Sequence, residues 1–264
     1  MSRLTEVFDH ARSQNRAALI GYLPAGFPSA EDSARLMTAM VAGGVAIVEV
    51  GMPYSDPVMD GPVIQAAANT ALAGGATMHT VMSCVSAVRD AGAVACVMSY
   101  WNPIERYGVA KFADDLAAAG GSAAITPDLS PQEAAEWVGV SDHAGVERVF
   151  LVAPSSTQAR LDLVCSTTNG FVYAASLMGV TGNAEADAGV AQVLVTRTRE
   201  HTSSPVAVGL GVSTAEQAHD IAKFADGVIV GSAFIRAVNS ASSIAEACER
   251  VETLARQLRE GVCH

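Results

Sequence analysis

The chain has 264 residues, half of them hydrophobic and 16% charged, with a formal net charge of −11. Such a chain can bury a large core and is not of the disordered class, while its acidity argues against nucleic acid as a partner, since phosphate-backbone binding needs a basic face. No run approaches the roughly 18 apolar residues of a membrane span, and the polar first ten residues lack a signal-peptide core, so a cytoplasmic protein with no membrane partner is expected.

Taken in order, strands alternate with helices. An opening helix is expected over Leu4–Asn15, a strand over Ala18–Tyr22, and a helix from Ser29 to Ala42 with Ser29 as N-cap. A second strand runs from Val45 to Val50. Helical patterns over Val63–Ala73 and His79–Ala91 lead to a third strand at Ala93–Met98. A helix near Val109–Ala119 precedes strand four at Ala123–Thr126, and Ser130-Pro131-Gln132-Glu133 carries the marks of a helix start. Strand five is expected at Arg148–Val152, a helix after Thr157, strand six at Phe171–Ala174, and a helix over Val190–Arg199. Strand seven is Val206–Val208, followed by a capping box at Ser213 and Glu216. Strand eight is Gly227–Val230, and the last helix places Ile244, Ala247, Cys248, Val251, Leu254 and Leu258 on one stripe.

Eight such units without a linker spell a single α/β domain over 1–264, a (β/α)8 TIM barrel with an extra N-terminal helix and a short phosphate-binding helix after strand eight. A doubly wound open sheet is the alternative, weakened by the lack of G-x-G-x-x-G after strand one. The five cysteines form no C-x-x-C pair and the six histidines no H-E-x-x-H, so reduced thiols and no metal are expected.

One stretch stands apart. Within the apolar second strand, Glu49 faces the same way as Ile47, and no Lys or Arg lies nearby in sequence to pair it. A buried, unpaired carboxylate favours its neutral form, which makes a candidate general acid near neutral pH. The loop beyond is shaped by Pro53, Pro57 and Pro62 and bears Ser55, Asp56 and Asp60, either as acids of a site or as turn caps.

Active sites of such barrels lie at the C-terminal strand ends. Tyr22, Tyr100 and Tyr173 fall at that predicted rim, as walls of a flat aromatic pocket or as packing. Gly179-Val180-Thr181-Gly182, Gly209-Leu210-Gly211-Val212-Ser213 and Gly231-Ser232 follow strands six, seven and eight. Bare N–H groups and a helix N-terminus there suit a phosphate without any Lys or Arg, with simple turn chemistry as the other reading; Gly182, Gly211, Gly231 and Ser232 are the candidates.

Glu49-Val50-Gly51-Met52-Pro53-Tyr54-Ser55-Asp56-Pro57 with Asp60-Gly61-Pro62, then Asn102-Pro103 with Arg106-Tyr107-Gly108, Pro127-Asp128-Leu129, Gly179–Gly182 and Gly209–Ser213 resemble the α subunit of tryptophan synthase over nearly the whole chain. The resemblance implies cleavage of indole-3-glycerol phosphate to indole and glyceraldehyde 3-phosphate. It implies Glu49 as acid and base, Asp60 as acceptor for the indole N–H, and Thr181 as a residue that orients Asp60. It implies no cofactor in this chain. The expected partner is a β subunit that uses pyridoxal phosphate, in an α2β2 assembly, with Pro53, Asp56, Asn102 and Pro103 at the contact. Phe27, Met59, Leu177 and Met178 depart from the family pattern, at loops rather than at the acids. Other functions open to the residues are a free-standing lyase on the same substrate, a sugar-phosphate isomerase, and a non-catalytic phosphate-binding subunit.

Overall fold

The computed structural model describes residues 3–176 and 188–263. Its strands are β1 (Ala18–Pro24), β2 (Ile47–Gly51), β3 (Val94–Met98), β4 (Ala123–Ile125), β5 (Glu147–Val149), β6 (Leu151–Val152), β7 (Val172–Ala175), β8 (Val206–Gly209) and β9 (Gly227–Val230). All pair in parallel in one sheet of order β5-β4-β3-β2-β1-β9-β8-β7-β6. Only Phe150 separates β5 from β6, and its carbonyl accepts the Tyr173 N–H at 3.1 Å. The two ends of the sheet are therefore one interrupted strand. The sheet closes on itself, and the fold is the (β/α)8 barrel.

Alternation along the strands sorts the core into two layers. Leu19 and Leu23 of β1, Val48 and Val50 of β2, and Ala95 and Val97 of β3 face outward and pack in the layer shared with the helices. Ile20, Ile47, Cys96, Ile125 and Ile229 face inward. The first helix, α1 (Arg3–Ser13), turns Leu4, Phe8 and Ala11 onto that inner layer and closes the N-terminal end of the barrel. Burial of Leu4 and Phe8 contributes about 1.5–3 kcal/mol each. Phe8 packs at a tilt 5.7 Å from Phe171, and Phe171 stacks 6.5 Å from Tyr173, so an aromatic column links the closed end to the open one.

The helices follow the sequence pattern with three instructive shifts. In α2 (Ala30–Ala42) Ser29 is the N-cap as expected, its side chain accepting the Asp32 N–H at 3.1 Å. The helices α3 (Pro62–Ala73), α4 (Met78–Asp90) and α6 (Val109–Ala119) lie where the pattern put them. A helix not anticipated, α5 (Trp101–Tyr107), fills the segment after β3, where Asp128 accepts the Trp101 N–H at 2.8 Å in place of a residue adjacent in sequence. The expected start at Ser130 is a turn: Ser130 Oγ donates to the Glu133 carboxylate, and α7 begins only at Ala135 and runs to Ala144. After β8 the cap is Thr214, one residue beyond the expected Ser213. Thr214 Oγ1 accepts the Gln217 N–H, and the Gln217 side chain takes the N–H of Ser213, the residue before the cap, at 2.8 Å, so the cap is shifted by one position and the expected box with Glu216 does not form. The remaining helices are α8 (Gln158–Thr167), α9 (Ala188–Arg199), α10 (Ala215–Ala222), α11 (Ser232–Asn239) and α12 (Ile244–Gly261). The stripe on α12 is buried at Ala247, Val251 and Leu258, with Ala255 added.

Candidate active site

Parallel register places Tyr22 of β1 opposite Glu49 of β2, both on the inner face one step from the C-terminal rim. Glu49 is 1% exposed, and its Oε1 has no hydrogen-bond partner among the described residues. With its charge neither solvated nor paired, burial raises its pKa to about 8. The carboxyl is therefore largely protonated at neutral pH. It can give a proton and, once ionised, take one back.

The loop after β2 brings the second acid over the same opening. Asp60 stands just before α3, where the Gln65 side chain donates to its carbonyl at 2.7 Å. Partial burial raises its carboxyl to about 6, opposed by a hydrogen bond from the Tyr100 side chain. Tyr100 also accepts the Met59 N–H at 3.0 Å, and its ring packs on Tyr54 with centroids 5.3 Å apart. Burial and the Asp60 charge push the Tyr100 phenol up to about 12, so it stays a donor. The two acids thus hold different states at pH 7, Glu49 neutral and Asp60 mostly ionised.

Two tyrosines line the barrel mouth by leaning over glycines of neighbouring strands. A Cβ on Gly51 would stand 2.5 Å from the Tyr22 hydroxyl, and one on Gly209 would stand 2.5 Å from that of Tyr173. These glycines therefore have a packing reason of their own. Both phenols are held well above their usual range, by burial first and then by the charges of Asp60 and Glu49.

Tyr22, Glu49, Asp60 and Tyr173 line one cleft, and Gly211, Gly231 and Ser232 line its other end. Gly211 has φ +67°, a left-handed turn suited to glycine. Gly231 caps α11 without a side-chain acceptor, and Ser232 is the first residue of that helix, so first-turn N–H groups and the helix dipole face the cleft. The arrangement can supply acid chemistry at one end and bare N–H groups suited to an anion at the other. Thr181 and Gly182, with Leu177 and Met178, lie outside the described residues. Of the contact candidates, Asp56 and Asn102 are exposed and Pro103 is half-buried, whereas Pro53 is buried against the barrel rim.

The cleft also includes Met59 and Leu210, which the sequence marks only as a departing loop position and as part of a glycine motif, and Ile64, Met98, Leu151 and Ile229, which it does not mark for the site. Met98, Leu151 and Ile229 sit on the inner face of strand ends, so carrying the alternation of Glu49 across all strands would have found them. Tyr100, expected as a wall, does not itself line this cleft but bonds the Asp60 loop that does. Those bonds were not expected.

A family model described as tryptophan synthase alpha chain matches residues 8–263. The chain is 56% identical to the tryptophan synthase alpha chain of Thermobifida fusca, over 99% of this chain and 98% of that one. It is 54% identical to that of Mycobacteroides abscessus, over 98% and 97%. Among solved structures it superposes on Mycobacterium tuberculosis tryptophan synthase with a TM-score of 0.94 at 50% identity, covering 100% of this chain and 99% of that chain. It superposes on the alpha subunit from Legionella pneumophila with a TM-score of 0.91 at 30% identity, covering 99% and 98%.

Proposed function

The chain belongs to the tryptophan synthase alpha chain family, and from that premise we propose how its own residues carry the family's reaction. The reaction is the cleavage of indole-3-glycerol phosphate to indole and glyceraldehyde 3-phosphate, a lyase step of tryptophan biosynthesis. Neutral Glu49 delivers its proton to indole C3, which turns the ring into an indoleninium cation. Asp60, ionised, accepts a hydrogen bond from the ring N–H and stabilises that charge. Glu49, now a carboxylate, removes the hydroxyl proton from the adjacent chain carbon. The bond from that carbon to C3 breaks, its electron pair returns to the ring, and the products are indole and an aldehyde. Glu49 ends protonated, ready for the next turn.

The observation that carries this assignment is the Glu49 carboxyl, 1% exposed, unpaired at Oε1 and opening into the cleft that Asp60 overhangs. Tyr22 and Tyr173 wall the indole, and Tyr100 holds the Asp60 loop against it. Gly211, Gly231 and Ser232 seat the phosphate without a cation, and Gly182 completes that seat, with Thr181 orienting Asp60. The 1–264 chain acts as one barrel domain in the cytoplasm and needs no cofactor of its own. Among the described residues no single helix is long and apolar enough to cross a membrane.

Indole passes to a β subunit that carries pyridoxal phosphate, in an α2β2 assembly, and the rim bearing Pro53, Asp56, Asn102 and Pro103 meets that partner. The family and the likeness to Mycobacterium tuberculosis tryptophan synthase support this. The test is indole release from indole-3-glycerol phosphate by the purified chain, alone and with a β subunit. Slow release that the partner accelerates is expected. Fast release without it would point to a free-standing lyase, and none in either setting, with the fold intact, would overturn the assignment.

A further inference from the structure

At the end of the barrel opposite the cleft, a second cavity opens between α1, the α2–β2 turn, the α4–β3 turn and the last turn of α12. Its charged and titratable groups are Arg3, Glu6, His10, Arg16, Arg89 and Arg259. Four guanidinium groups face one carboxylate. In a chain with only 16 Lys and Arg against 27 Asp and Glu, that is a local inversion of charge.

The arginines are not spent on each other's neighbours. Arg89 is satisfied, by Asp90 and by the Ala119 carbonyl. Arg16 and Arg259 form no ion pair among the described residues, and Arg16 Nε is buried with no hydrogen-bond partner. Arg259 lies across Gly44, whose φ of +104° and lack of a Cβ let its side chain pass: a Cβ there would stand 2.2 Å from Arg259 Cδ. The two guanidinium groups are close enough for Arg259 to destabilise the charge on Arg16, after burial itself, which lowers the Arg16 pKa. Among the described residues the arginines outnumber the one carboxylate of the cavity, Arg16 and Arg259 lack an ion pair, and a buried donor is left open, which suits an oxyanion acceptor; planar guanidinium forks match phosphate geometry.

We propose that this cavity, closed by α1 at the N-terminal end of the barrel, is an anion site that binds a phosphate group through Arg16 and Arg259. It is separate from the catalytic cleft and independent of the roles assigned there. The chemistry is shared by free phosphate and by the phosphate of a small organic monoester.

The test is a titration of the isotope-labelled full chain with inorganic phosphate, and in a parallel arm with ribose 5-phosphate, followed through backbone amide resonances. Saturable shifts at Gly44 and Gly92, beside the cavity, are expected in addition to any at Gly211 and Ser232. Arg16→Gln and Arg259→Gln should each weaken binding at Gly44 and Gly92 at least tenfold. Neither should alter the shifts at Gly211 and Ser232 or the rate of indole release, which also shows that the variants fold. Tighter binding of ribose 5-phosphate would assign the site to a phosphate ester, and equal binding would assign it to free phosphate. Shifts confined to Gly211 and Ser232 in the wild type, or shifts at Gly44 that survive both substitutions, would overturn the proposal.

Discussion

Tyr100 fastens the segment that carries Asp60: its hydroxyl accepts the Met59 N–H at 3.0 Å and its side chain also bonds the Asp60 carboxylate. One phenol on the β3 side of the barrel thus fixes both the backbone and the charge of the loop after β2. Tyr100→Phe keeps the ring and removes both bonds. Because the Tyr100 bond lowers the Asp60 pKa, its loss should move the acidic limb of the rate profile to higher pH. It should also reduce kcat/KM about tenfold, in line with roughly 1.5 kcal/mol for a hydrogen bond to a charged group. Steady-state indole release across pH measures both effects.

The full profile follows from the two acids. Asp60 must be ionised, and burial sets its pKa at about 6; Glu49 must start protonated, and burial sets its pKa at about 8. The rate should therefore rise through pH 6, plateau briefly, and fall above pH 8. Asp60→Asn should erase the acidic limb, which initial-rate measurements on both proteins would show.

Glu49 should oppose the fold at alkaline pH. Its folded pKa lies above its ordinary value of 4.5, so between pH 4.5 and about 8 the native state holds a proton that the unfolded chain has released. Its contribution is complete below pH 4.5 and is lost as pH rises toward 8, by about 1.4 kcal/mol per pH unit. Glu49→Gln lacks that dependence. Urea unfolding at pH 5 and pH 8.5 should show the variant gaining on the wild type as pH rises.

Gly209→Ala tests the packing reason for a glycine at the mouth. The added Cβ would meet the Tyr173 hydroxyl at 2.5 Å and must displace the ring. Overpacking of this kind costs about 1–3 kcal/mol. A lowered melting temperature should accompany a raised KM for indole-3-glycerol phosphate.

Much of this was legible in the residues, for reasons that can be named. The β2 run shows its strand through β-branched residues, and Glu49 stands out there because a lone carboxylate conflicts with an apolar inner face. The glycines after β8 and β9 mark backbone that must approach something closely. Helix starts were harder where long-range bonds decide: Ser130 found Glu133 instead of a helix N–H, and α5 begins where Asp128, 27 residues away, supplies the acceptor. Tyr100 stands out in the sequence as an aromatic at the strand-end rim but not as the anchor of Met59, since a contact 41 residues apart leaves no local periodicity. The arginine cavity is hidden for the same reason, because Arg16 and Arg259 come together only when the residues after α12 bridge those just before β1.

The most direct test of the central claim is single-turnover release of indole from indole-3-glycerol phosphate by Glu49→Gln, with the β subunit present and the fold confirmed by circular dichroism. One positioned group that both gives and takes the proton should contribute roughly 10²–10⁴-fold for each transfer, so a loss of at least 10²-fold with little change in substrate affinity is expected. Release within a few-fold of wild type would show that the proton comes from elsewhere and that Glu49 is not the acid of this site.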